Sequence, residues 1–320
     1  MSESQKNSYV RDISPERIQK NPENPRLFFR SDELDSLLVS IKRYGIQVPI
    51  NVYEDKGEFF LIDGERRWRC AKKLNLKKIP ALVQDKPSDL DNLLLMFNIH
   101  SLREQWDYLT IANKLPRVIS LHAEQHGREP NEIELSELTG LTRGQVRRCR
   151  LLLDLPEKYR SLLLEELELP KHRQKLSEDF FIEMEKSLKT VAKRVPSVMT
   201  HPDNVRDALI KKYRAGIINN IVDFRKLSKI ATAVEGLGVT ETKAKAALKE
   251  IFSSNNGVGI SSVFEEQFGF IYGKRWLESH IDSMLNYLDD FDEPAEGEDA
   301  EDVKQKLRDL RDKINEIVGD

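Results

Sequence analysis

The stretch Asp63-Gly64-Glu65-Arg66-Arg67-Trp68-Arg69-Cys70 most narrows what this chain can fold into. It follows Glu58 to Ile62, a run predicted to be the second arm of a β-hairpin, and opens a helix expected to reach about Leu74. A glycine at a strand-to-helix turn, an acid and two arginines there bring together three things. They are the N–H groups of a helix start, the positive end of its dipole and two forked cations. That combination suits phosphate oxygens. A nucleotide or polyphosphate pocket is therefore expected, and a solvated charged helix start is the alternative.

Length and composition set the wider frame. The 320 residues suffice for two or three domains. One third are charged and 39% hydrophobic, which fits a helix-rich chain that still buries real cores. Net charge is −3, so any nucleic-acid affinity must come from local basic surface. The two cysteines, Cys70 and Cys149, form no Cys-x-x-Cys pair, which argues against a zinc module or disulfide framework and for a reducing compartment. The polar N-terminus lacks a signal-peptide core and no apolar run reaches the length of a membrane span. A cytoplasmic protein without a membrane partner is expected.

Residues 1 to about 10 read as loose, and Pro15, Pro22 and Pro25 mark a turn-rich lead-in. Leu34, Leu37, Leu38 and Ile41 follow helical spacing up to Gly45. A strand from Ile50 to Tyr53 turns at Asp55-Lys56-Gly57 into the Glu58 arm, and Ile79 to Val83 is a further strand. Ser88 can cap a helix from Asp89 to about His100, and another helix covers Trp106 to about Gln125. On it, His122 and His126 have metal-pair spacing, but Ala123 stands where the zincin pattern needs Glu.

From Glu132 strands disappear. Leu135 to Val146 has a helix-turn-helix rhythm, with Ser136, a turn at Gly140, a capping Thr142 and an inward Val146. The second helix carries Arg143, Gln145, Arg147, Arg148 and Arg150. Arg and Gln suit base edges and the remaining arginines suit phosphates. A helical hairpin with a solvated basic face is the alternative. Residues 156 to about 290 read as helical without further chemistry, and Lys171 to Lys175 is a small basic cluster. Asp289 to Asp302 holds nine acidic residues and no basic one, the composition of a self-repelling linker. Val303, Leu307, Leu310, Ile314 and Ile317 then step by four and three, as in a short helix-pairing segment.

These features in this order resemble the ParB family of partition proteins. Asn24-Pro25-Arg26, Gly45 to Ile50, Gly64 to Arg69 and the Leu151-Leu152-Leu153-Asp154-Leu155-Pro156 ending are similar to that family's motifs, over roughly residues 12–175. The resemblance implies a CTP-binding N-domain with Mg²⁺ as possible companion, a DNA-binding middle domain and a C-terminal dimerisation element. It places Gly64, Glu65, Arg66 and Arg67 on the triphosphate, and Ile46 and Gln47 toward the base. The family's third box falls on Phe97-Asn98-Ile99-His100-Ser101, where only Asn98 matches, as a nucleotide or metal contact. Phe97 stands where the resemblance would put a metal-binding carboxylate, which argues against efficient CTP hydrolysis. The N-domain also resembles the wider fold of sulfiredoxin and free-serine kinases, which makes Asp63 and Glu65 the candidate catalytic acids.

The expected architecture is an α+β ParB/sulfiredoxin-like domain followed by an all-α helix-turn-helix and a helical C-terminal region. Its divisions are 1–104 for nucleotide, 105–178 for DNA, a helical domain at 179–288, a linker at 289–302 and a dimerisation helix at 303–320. The expected function is a nucleotide-switched DNA clamp or adaptor in partition, or in a related plasmid, phage or defence role. Thr142, Arg143, Gln145, Arg147 and Arg148 would contact double-stranded DNA, with a homodimer and a partner ATPase as protein contacts. The alternatives are a transcription regulator without nucleotide use and a nucleotide-dependent kinase or nuclease.

Overall fold

The computed structural model describes residues 8–24, 31–101, 107–289 and 298–319. It divides into two units, Met1–Ser261 and Ser262–Asp320. In chain order the first elements are β1 (Ser8–Ile13), β2 (Ile18–Gln19), α1 (Ser31–Tyr44), β3 (Ile50–Asp55), β4 (Glu58–Asp63), α2 (Glu65–Lys73), β5 (Ile79–Asp85) and α3 (Asp89–Ser101). Among the described residues the strands form one five-stranded mixed sheet, ordered β1-β5-β3-β4-β2.

The β3–β4 hairpin closes as its turn dictates. Lys56 and Gly57 have φ of +52° and +84°. A type I′ turn needs positive φ at both central residues. Beyond the hairpin, β3 runs parallel to β5. Ile50, Val52, Phe59, Leu61, Ile79, Ala81 and Val83 form one core with Trp68 and Ala71 of α2. Burying each large apolar side chain of this kind contributes about 1.5–3 kcal/mol. The Trp68 indole N–H donates to the Pro15 carbonyl at 2.8 Å, so the lead-in is tied to α2. Part of the N-terminus expected to be loose is strand. Ser8–Ile13 pairs antiparallel with β5, Ser8 opposite Gln84 and Ile13 opposite Ile79. All of β1 except Ile13 is exposed, so no apolar alternation announced it.

The rest of the first unit is helical. It holds α4 (Tyr108–His126), α5 (Glu132–Thr139), α6 (Arg143–Leu153), α7 (Glu157–Glu168), α8 (Glu178–Arg194), α9 (Pro202–Arg214), α10 (Phe224–Gly236) and α11 (Glu241–Phe252). The fold is thus α+β followed by all-α. α8 is its centre. Phe180, Phe181, Met184 and Val191 are fully buried, and the Phe180 ring meets Phe224 of α10 edge-on with centroids 5.2 Å apart. Carboxylates on α8 reach arginines of neighbouring helices, Glu183 to Arg225 at 2.8 Å and Glu185 to Arg206 at 2.7 Å.

Glu178, the first residue of α8, accepts the Leu109 N–H at 2.6 Å and so satisfies the start of α4. Burial pushes its carboxyl up from 4.5 to about 7, with a contribution from Asp107, against the lowering effect of the Leu109 bond. Between those two values the folded chain holds a proton that the unfolded chain has lost. This stabilisation is complete below pH 4.5 and is lost as pH rises through about 7. Urea unfolding should show a decline of about 2–3 kcal/mol over that window. Glu178→Gln keeps an acceptor without titrating and should flatten the profile. The same slope in the variant would refute the assignment.

The boundary between the units falls within α12 (Ile260–Phe264). The second unit continues through a π-helical turn, Glu265–Gly269, into α13 (Phe270–Asp289) and ends in α14 (Glu298–Val318). The acidic stretch assigned to a linker is helical from Glu298. Residues 290–297 lie outside the described residues. On α13, Leu277, Ile281, Met284 and Leu288 step by four, three and four, and all are exposed. No role for this seam was expected from the sequence. No helix among the described residues is long and apolar enough to cross a membrane.

Candidate functional site

Gly64 sits between β4 and α2 with φ +96° and begins the helix by accepting the Trp68 N–H at 2.9 Å. A Cβ there would lie 2.7 Å from Ile50 Cγ2 and 3.1 Å from an Arg67 nitrogen. Only glycine meets both demands, left-handed backbone and close approach.

The charged residues of this turn are largely turned on the protein itself. Arg67 donates through Nη1 to the carbonyls of Val48 and Pro49 at 2.6 and 2.8 Å, and through Nη2 to Asp63 at 3.0 Å. It therefore ties α2 to the approach of β3, where the sequence placed it on phosphate. Glu65 Oε2 accepts from Asn24 Nδ2 at 2.5 Å, and Oε1 accepts from Arg69 at 2.9 and 2.7 Å. Both catalytic candidates, Asp63 and Glu65, are buried and committed to ion pairs. Arg66 shares the first turn and is half-buried. Ile46 packs against the sheet core, and the exposed Gln47 donates to the Tyr44 carbonyl.

The third box is a core element. Phe97 is fully buried, and Asn98 turns its amide back to the Leu94 carbonyl at 3.0 Å. Pro25, Arg26, Trp106 and the side chains of His100 and Ser101 lie outside the described residues. Cys70 is buried and bonds through its thiol to the Leu34 carbonyl at 3.6 Å, and burial pushes that thiol up, as suits an inert cysteine. The His122 and His126 rings stack at 4.2 Å, with each Nδ1 on a backbone carbonyl. Among the described residues no three His, Cys, Asp or Glu side chains gather to hold a metal ion.

The second candidate site is α5 and α6. Each helix begins with a reciprocal capping box, Asn131 with Glu134 and Thr142 with Gln145. Gly140, at φ +71°, ends α5 and lets the chain turn. Val146, Cys149 and Leu152 face the core, so the opposite face of α6 presents Arg143 and Arg147 to solvent. These two arginines lie one helical turn apart at the N-terminal half, the part of such a helix that reaches base edges. Gln145 uses its amide oxygen on the Thr142 N–H at 2.8 Å, which turns that oxygen away from an outward reading role. Arg148 pairs with Asp179 and covers the Tyr108 ring at 4.8 Å, so it anchors α6 to its scaffold.

A residue to which the sequence assigned no role stands beside the exposed pair. Glu132, the first residue of α5, accepts from Arg143 at 3.0 Å and from Arg147 at 3.1 Å. Arg147 and then Arg143 hold its carboxyl below the ordinary range. Sequence spacing does not reveal this contact, because it depends on the angle between two helices.

Comparison with known proteins finds similarity over the N-terminal part of the chain. The family model described as "ParB N-terminal domain" matches residues 1–98. The chromosome-partitioning protein ParB of Caulobacter vibrioides (strain NA1000 / CB15N) is 31% identical over 158 residues, which cover 48% of this chain and 49% of that protein. The nucleoid occlusion protein of Geobacillus thermodenitrificans (strain NG80-2) is 28% identical over 214 residues, 66% of this chain and 72% of that one. The chain spans about half the length of the first curated relatives it matches. A crystal structure of C-terminally truncated ParB from Caulobacter crescentus, complexed with CTP-γ-S, is similar at 26% identity and a TM-score of 0.29, over 58% of this chain and 97% of that one.

Proposed function

We propose that this chain, which belongs to the ParB family through its N-terminal domain, is a DNA-binding partition protein that reads double-stranded DNA with α6 and binds CTP at the Gly64 turn. The observation that carries the DNA part is the exposed Arg143–Arg147 pair on a doubly capped helix-turn-helix. Forked guanidiniums at that position reach guanine edges or phosphates. Arg143→Ala and Arg147→Ala should each weaken duplex binding by about tenfold, corresponding to about 1.4 kcal/mol, in fluorescence anisotropy. Unchanged affinity in both would remove α6 from the interface.

The nucleotide part rests on the left-handed glycine at the start of α2, with Arg66 beside it, inside a matched ParB N-terminal domain. When bound, CTP would bring its phosphates to the positive end of α2. The residues do not fit Mg²⁺ in the expected third box: Phe97 is core, the Asn98 amide serves Leu94, and hard cations want oxygen ligands. These residues therefore supply neither a metal step nor hydrolysis. Calorimetry with CTP, ATP and GTP, each with and without Mg²⁺, tests this directly. CTP-selective binding lost in Arg66→Ala supports the switch. No binding to any nucleotide leaves the second reading, a regulator without nucleotide. That reading is favoured by the internal use of Asp63, Glu65 and Arg67.

In the same reading the protein is a cytoplasmic, nucleoid- or plasmid-associated homodimer that answers to a partner ATPase. The exposed seams of α13 and α14 fit pairing with a second copy.

A further inference from the structure

We propose that Glu132 is a positioning residue for DNA reading. Its carboxylate holds Arg143 and Arg147 as one outward-facing pair and limits their attraction to phosphate, so that sequence counts for more than charge. This rests on the assignment of α6 as the reading helix.

The geometry supplies the argument. Glu132 Oε1 accepts from Arg143 Nε at 3.0 Å, and both its oxygens accept from Arg147 Nε at 3.1 Å. Arg147 Nη2 lies 2.9 Å from Oε1. The carboxylate thus engages both guanidiniums by the Nε side. Arg143 and Arg147 remain 55% and 61% exposed, while Glu132 is 23% exposed. Two cations one turn apart on α6 repel each other and would spread over many rotamers in solvent. The shared acid removes the repulsion and fixes both stems. It also lowers the local charge from two positive to one, and charge is what drives sequence-independent binding. Glu132 is itself anchored, because α5 is set by the Asn131–Glu134 capping box and by Arg128, which donates to Glu134 at 2.7 Å.

The test uses the full chain. The parent protein selects a duplex from a randomised pool, and anisotropy then compares that duplex with the unselected pool across a salt series. Glu132→Gln keeps the side-chain shape and removes the charge. It should bind the unselected pool about threefold or more tighter, and the slope of log affinity against log salt should steepen by about one. The ratio of selected to unselected affinity should fall about tenfold, and Glu132→Asp should recover part of it. A ratio and slope equal to the parent's overturn the proposal while leaving α6 as reader. If Arg143→Ala and Arg147→Ala bind both duplexes as the parent does, the assignment of α6 fails first. Failure of the parent to enrich any sequence overturns both. A melting midpoint within about 2 °C of the parent's shows that the variant folds.

Discussion

Gly64→Ala is expected to destabilise the N-terminal sheet by about 2–4 kcal/mol. Two costs add. The φ of +96° is left-handed, where an L side chain costs about 1–2 kcal/mol. The new methyl would also stand 2.7 Å from Ile50 Cγ2, inside normal contact, and Ile50 is fully buried in the central strand. Ile50 pairs across to Ala81 of β5, so it cannot retreat without moving the sheet. Arg67, 3.1 Å away, is held by two carbonyls and Asp63. Gly127→Ala separates the two costs. Gly127 has φ +72° and no neighbouring atom within 4 Å of where a methyl would stand, so it carries backbone strain alone. Amide exchange across β3, β4 and α2 should speed up far more in Gly64→Ala than exchange at the end of α4 does in Gly127→Ala. Equal losses of stability in the two variants would mean that Ile50 yields and that strain alone keeps glycine at the turn.

The same turn separates what the sequence could tell from what it could not. The hairpin was legible because apolar alternation and the Asp55-Lys56-Gly57 turn are local signals, and local signals survive into the fold. The capping boxes around α5 and α6 were legible in part for the same reason, since Thr142 and Gly140 act on their immediate neighbours. The partners of Arg67 were not. Its guanidinium reaches Val48 and Pro49 across a chain reversal, and a Gly-Glu-Arg-Arg string reads as phosphate-binding whichever way its arginines turn. β1 was hidden because an exposed edge strand draws its stability from backbone pairing with β5 and hardly at all from side-chain pattern. Phe97 shows the reverse. Its loss of the expected carboxylate was plain in the sequence, and its full burial on α3 explains why an apolar ring stands there.

Lys212→Met is expected to cost about 3–5 kcal/mol, because it strands three buried acceptors. Lys212 is 1% exposed. Its ammonium donates to the Ile251 carbonyl at 2.6 Å, the Asn256 side-chain oxygen at 2.8 Å and the Val258 carbonyl at 2.7 Å. An ammonium has three donors, and here all three are used, one on the last turn of α11 and two on the loop that follows it. Burial lowers its pKa from 10.5, with Glu250 opposing, so the charge is costly in itself. The acceptors offset that cost, and the bond network closes the segment after α11 onto α9. Methionine matches the stem but leaves the oxygens facing a thioether, and each buried acceptor without a donor costs about 1–3 kcal/mol. Arginine offers donors, but its planar fork does not match three oxygens around a point charge. Urea unfolding of both variants, with amide exchange over residues 250–260, reads the effect. The exchange should localise to that loop at low denaturant and spread to α9 near the midpoint. A loss under about 1 kcal/mol in Lys212→Met would show that water replaces the ammonium and that the loop keeps its shape without it.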